Sequence, residues 1–210
     1  MTVEFWIGQE PDTPHERTAL DHFRHGMEAM YGSSKGYYFV LVNYFVGSNQ
    51  VDLTILKRDA IIVVELKECR EPFVATENGD WLTPSGRPIR TGAENPFEQV
   101  RRYRMRWMDF LQRHRYMLSP ASLSGVRFDQ AINTLVCISP RLAPGCRNEI
   151  SKRTLPWFGL IGLDQLVQTV SRLSNPELSF SETDLRKLIS KLNLRPGPVF
   201  TVPPPTCRGL

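Results

Sequence analysis

Apolar positions along the chain follow two different spacings, and the boundaries between them predict the elements. From Thr13, "TPHERTALDHFRHGMEAMY" sets Leu20, Phe23, Met27 and Met30 at helical spacing. Thr13 as cap, Pro14 in the first position and Glu16 as the capping-box acid mark where that helix begins. "YGSSKG" breaks it, and the β-branched and aromatic run "YYFVLVNYFV" at 37–46 predicts a strand. Residues 51–68, "VDLTILKRDAIIVVELKE", predict two further strands turning between Lys57 and Ala60. Short segments around Trp81 and Ile89, set off by "NGD" and "PSGRP", predict a small meander. "NPFEQVRRYRMRWMDFLQRHRYM" predicts a long helix capped by Asn95, with Phe97, Val100, Tyr103, Trp107, Phe110 and Leu111 along one side. A strand at 130–139, a strand-to-helix passage "LIGLDQLVQTVSRL" and a helix "SETDLRKLISKL" starting at Ser181 follow. This order predicts an α/β fold: a mixed sheet with helices packed on it, forming one domain over residues 1–195. The proline-rich end, 196–210, is expected to be a tail or linker.

The charges in the 51–68 segment do not fit that pattern. With Lys57 facing Ala60, the hairpin register sets Asp52 opposite Glu65. Alternation then groups Asp52, Thr54 and Leu56 with Ile61, Val63, Glu65 and Lys67, while Val51, Leu53, Ile55, Ile62, Val64 and Leu66 occupy the other face. Opposed carboxylates about 5 Å apart repel by roughly 3 kcal/mol at an effective dielectric near 20. Lys67 offers one positive charge against that repulsion, and a divalent cation with the oxygen ligands that Mg²⁺ or Mn²⁺ prefers offers two more. The alternative is an ordinary ion pair at the exposed rim of the sheet.

Composition narrows the setting. With 210 residues and 41% hydrophobic content the chain is long enough for a full core. No apolar run approaches the roughly 20 residues of a membrane span, and the N-terminal "MTVEFWIGQEPD" lacks a basic region followed by an apolar one. Cys69, Cys137, Cys146 and Cys207 are scattered without a CxxC pair, which argues against a zinc site or disulfide framework and predicts a reducing, cytoplasmic setting. His15, His22, His25 and His114 lack ligand spacing joined to an acid, and neither a GxSxG motif nor a P-loop occurs.

Asp52, an apolar "IIVV" strand and "ELK" at 65–67 together resemble the D…ExK form of the PD-(D/E)xK nuclease signature. With an early helix Glu, a Trp some fifteen residues after the ELK, and "NPFEQVRRYR", the chain resembles the NERD, or nuclease-related, domain from about Glu16 to Trp107. Two positions depart from that pattern: His15 stands where Gly often precedes the helix Glu, and Leu53 rather than His follows Asp52. Neither alters the Asp, Glu, Lys and Gln set. The resemblance implies a restriction-endonuclease-like fold and a motif-bearing core of about 13–140. It also implies catalytic roles for Asp52, Glu65, Lys67 and Gln99, and a metal held by Asp52, Glu65 and the Leu66 carbonyl. Glu16 matches the first-helix carboxylate, although its capping position accounts for it without a metal. Gln99 and Tyr103, four apart, match a QxxxY element that supports the site and contacts the substrate backbone.

The helix after Asn95 carries Arg101, Arg102, Arg104 and Arg106, then Arg113 and Arg115, against only Glu98 and Asp109. Such a stripe attracts a phosphate backbone irrespective of sequence, or else forms a solvated helix face. Three functions remain open: a metal-dependent nuclease acting on DNA, RNA not being excluded; a catalytically silent DNA-binding module of the same fold; and an interaction domain unrelated to nucleic acid. The resemblance further implies a helicase-like or kinase-like module as partner.

Overall fold

The computed structural model describes residues 2–10, 13–30, 36–89, 94–123, 127 and 131–201. In chain order its elements are β1 (Thr2–Ile7), α1 (Pro14–Met30), β2 (Tyr37–Val46), β3 (Asn49–Lys57), β4 (Ala60–Glu68), β5 (Val74–Ala75), β6 (Trp81–Leu82), β7 (Pro88–Ile89), α2 (Pro96–His114), β8 (Ile132–Ser139), β9 (Arg147–Asn148), β10 (Phe158–Gly162), α3 (Leu166–Arg172), α4 (Glu182–Ile189) and β11 (Arg195–Thr201). The capping residues accept where expected. Asn95 accepts from the Glu98 N–H at 2.8 Å, Ser181 and Asp184 form a reciprocal capping box, and Thr13 accepts from the Glu16 N–H at 3.4 Å.

Seven strands form one mixed sheet in the order β10-β8-β4-β3-β2-β1-β11. The β2–β3 and β3–β4 pairs are antiparallel, while β4–β8, β8–β10 and β1–β2 are parallel. Two of these strands differ from the sequence reading. β1 was not anticipated, and β11 begins at Arg195 and runs into the segment expected to be a linker, pairing antiparallel with β1. Pro196 and Pro198 lower the strand signal, yet an edge strand tolerates residues that donate nothing to a ladder. Residues 202–210 lie outside the described residues.

Helices cover both faces of the sheet. On one, Leu41, Leu56, Ile61 and Val63 pack with Tyr103, Trp107 and Phe110 of α2 and Leu185 and Leu188 of α4. On the other, Val40, Leu53, Ile55, Ile62 and Val64 pack with Phe23 and Met27 of α1 and Val167 and Val170 of α3. Each such buried side chain contributes roughly 1.5–3 kcal/mol relative to exposure. The Met30 side chain of the predicted α1 stripe lies outside the description. The predicted meander is a small lobe, with β6 paired to β7 and β5 to β9. There Phe73 stacks on Trp81 with centroids 5.6 Å apart, against Phe97 at the start of α2. Arg87, Pro88 and Ile89 of this lobe and Gln99 and Tyr103 of α2 flank the C-terminal end of β4.

Beneath that end lies a buried polar relay. Trp107 Nε1 donates to Tyr44 Oη at 2.8 Å, and Tyr44 in turn donates to Thr54 Oγ1 at 2.7 Å. It ties α2 to β2 and β3 and leaves none of the three groups unpaired.

Candidate active site

β4 runs as buried apolar sequence to Val64 and then carries Glu65 and Lys67, 1% and 8% exposed, on the α2 side of the sheet. Glu65 Oε1 accepts from Lys67 Nζ, whereas Glu65 Oε2 is buried and has no hydrogen-bond partner. The β3–β4 register is the one expected, from Lys57 opposite Ala60 to Leu53 opposite Val64. At the next rung, where Asp52 would face Glu65, the ladder opens. Asp52 Oδ2 accepts instead from the Leu66 N–H at 2.8 Å.

The opening has a counterpart one strand away. Asn43 on β2 is a non-glycine residue at φ 48°, and the β2–β3 ladder steps from Val42–Leu53 to Tyr44–Val51 across it. Strict alternation is lost there. Val51, expected beside Leu53, instead joins Tyr44 and Val46 in the cluster under α2. Asn43 is held by its own contacts: its side chain accepts from Gln50 Nε2 at 2.5 Å and donates to the Glu10 carbonyl at 3.0 Å, and its carbonyl accepts from the Gln9 N–H at 2.8 Å. Gly8 is needed for this approach, since a Cβ there would sit 2.6 Å from the Asn43 carbonyl oxygen. The left-handed residue thus marks the level of the sheet at which Asp52 leaves the ladder.

Electrostatics follow from that placement. Asp52 retains some exposed surface, but burial of its carboxyl pushes the pKa well above the carboxylate range. Glu65 adds to the rise and Glu16 adds less, while Lys67 and the Leu66 N–H oppose it. From α2, Gln99 Nε2 donates to Tyr103 Oη at 2.7 Å, leaving Gln99 Oε1 buried without a partner. Burial, then Glu65 and Asp52, push the Tyr103 phenol far up, so it remains a neutral hydroxyl. Glu16, Asp52, Glu65, Lys67, Gln99, Arg102 and Tyr103 all line one open cleft of ≈ 750 Å³.

The residues present fit a hard divalent cation. Every candidate donor is an oxygen, two carboxylates share the site, and two buried acceptor oxygens, Glu65 Oε2 and Gln99 Oε1, lack donors. Among the described residues no three of His, Cys, Asp and Glu converge on a metal position, and of the charges acting on Asp52 that of Glu16 is the weakest.

The arginines do not form one stripe. Arg102 is turned to the cleft and pairs with Glu94, and Arg106 donates to Asn49 Oδ1 at 3.1 Å at the same rim. Arg104 points elsewhere, donating to the Ile132 carbonyl at 3.2 Å and covering the Trp157 ring at 4.5 Å. Arg101 is exposed and bonded to Glu98. At 100° per residue, positions 102 and 106 share the face of Gln99 and Tyr103, whereas 101 and 104 lie on the far side. Asn43, Phe45 and Arg87 also line the cleft and were not singled out in the sequence. A polar residue within the apolar run "FVLVNYFV" was the available signal for Asn43.

Cys69, Cys137 and Cys146 are free, and Cys207 lies outside the described residues. Among the described residues no helix is long and apolar enough to cross a membrane. Comparison with protein families matched a model described as nuclease-related domain over residues 13–139. The match runs from the cap of α1 to the end of β8 and includes each of the seven cleft residues named above. Comparisons with curated proteins and with solved structures returned no match.

Proposed function

Because the chain belongs to the nuclease-related domain family, we propose that it hydrolyses phosphodiester bonds in DNA, using Mg²⁺ or Mn²⁺ held by Asp52, Glu65 and the Leu66 carbonyl. The observation that carries this reading is the pair of donor-starved buried oxygens, Glu65 Oε2 and Gln99 Oε1, beside a carboxylate whose pKa burial and Glu65 push up. Such a pair is costly without a cation. A bound divalent ion would polarise a phosphoryl oxygen and lower the pKa of a coordinated water.

The chain's own residues account for the remaining steps. Lys67, held by Glu65 Oε1, orients the attacking water and offsets the charge that grows on the phosphoryl oxygens. The neutral Tyr103 hydroxyl and the Gln99 carboxamide position the substrate backbone, and Arg102 at the rim neutralises an adjacent phosphate. A helicase-like or kinase-like module is the proposed partner for presenting substrate.

The test is incubation with plasmid DNA, linear DNA and RNA in EDTA, Mg²⁺ or Mn²⁺. Cleavage of DNA that requires the metal is expected, and cleavage of RNA alone would reassign the substrate. DNA binding with no cleavage in either metal would leave a silent binding module.

A further inference from the structure

Five large apolar side chains among the described residues are exposed: Phe45, Leu82, Met105, Tyr116 and Leu155. Of these, Phe45 is the one that lines the cleft. Its neighbours Tyr44 and Val46 are both 1% exposed under α2, so Phe45, 48% exposed, faces the opposite way, into the opening. It pairs with Gln50 across the β2–β3 hairpin, two residues along β3 from Asp52. At about 3.3 Å per residue that is roughly 7 Å along the strand, about the reach of one nucleotide.

The hairpin beneath the ring is clamped. Arg106 donates to Asn49 Oδ1 at 3.1 Å, and Gln50 Nε2 donates to Asn43 Oδ1 at 2.5 Å. Gly47 at the turn has φ 62°, which glycine adopts without strain. The strand that carries the ring is therefore held in place before any ligand arrives, beside a site rich in groups suited to phosphate chemistry.

Resting on the proposed action at nucleic acid, we propose that Phe45 stacks on an unpaired base one nucleotide from the scissile phosphate, so that the cleft prefers a single strand or a frayed end over closed duplex. Base faces inside a duplex are covered by their neighbours, and a ring reaches one only where stacking is interrupted. On this reading Arg106 acts as a positioning residue for the hairpin.

The test measures equilibrium binding in EDTA of a labelled single strand and of a blunt hairpin duplex carrying the same sequence. Phe45→Ala is expected to weaken single-strand binding about tenfold and duplex binding less than about twofold. Phe45→Trp should keep the preference, and melting temperatures should match wild type because the ring is exposed. An abasic site stepped along the strand should weaken wild type at one position and leave Phe45→Ala unaffected there. Equal losses on both substrates, or none, overturn the stacking. Metal-dependent cleavage with unchanged single-strand affinity in Phe45→Ala removes the stacking and leaves the nuclease reading standing. A selective loss in a protein that cleaves nothing supports the stacking and removes the nuclease. Wild-type protein that binds no oligonucleotide overturns both.

Discussion

Asp184 and the Asp52–Glu65 pair are acids treated in opposite ways by the same chain. Asp184, at the start of α4 and 1% exposed, accepts from the Ser181 and Ser122 hydroxyls at 2.6 and 2.7 Å and from the Ser119 N–H and hydroxyl at 3.0 Å each. Burial alone would raise its pKa, but these donors outweigh it and hold the carboxyl well below the usual range. Glu65 has one donor, Lys67, and an orphaned oxygen, and Asp52 is pushed the other way by burial and by Glu65. A carboxylate surrounded by donors holds the fold together. Two carboxylates short of donors are the groups proposed to hold the divalent cation.

Substitutions can break that comparison, beginning with the largest effect. Lys67→Ala should reduce cleavage by about three orders of magnitude while changing DNA affinity little, as gel-based rates and fluorescence anisotropy would report. Loss of affinity in proportion to rate would reduce Lys67 to one charge in an anion-binding patch.

Asp184→Ala should have the opposite profile, with urea melts showing a loss of about 3 kcal/mol because several donors are left unpaired in the core. Its folded fraction should cleave normally. The sign with pH follows from the lowered pKa: the contribution is present above the unfolded value of about 4 and is lost as pH falls through the folded value. The gap between wild type and variant should therefore close on acidification below about pH 4, and a gap that widens there would contradict the assignment.

Asp52→Asn should raise stability by about 1 kcal/mol in EDTA, and more as pH rises and Asp52 ionises, since it removes one of two repelling charges, and should abolish metal-dependent cleavage. A destabilised variant would mean that the Leu66 N–H bond outweighs the repulsion. The smallest effect separates the arginines: Arg102→Ala should flatten the slope of log K against log salt by roughly 0.9, and Arg104→Ala should leave it unchanged. Equal slopes would restore the single stripe.

Much of this was legible in the sequence because it depends on neighbours a few residues away. Helical spacing and capping residues define α1, α2 and α4, since the signals sit within one turn of each end. A two-residue turn and an alternating pattern set Asp52 at the level of Glu65, because pleat and hairpin geometry are local. Other features required the tertiary structure. β1 and β11 exist through pairing across nearly the whole chain, which no local pattern in a short or proline-bearing segment encodes. Helical spacing alone turns Arg104 away from Gln99, but the Trp157 ring that it covers is distant in sequence and meets it only in the folded chain. The shift of Val51 to the other face accompanies Asn43 in a left-handed conformation, supported by contacts from the segment after β1 and from β3 that converge only after the sheet has formed.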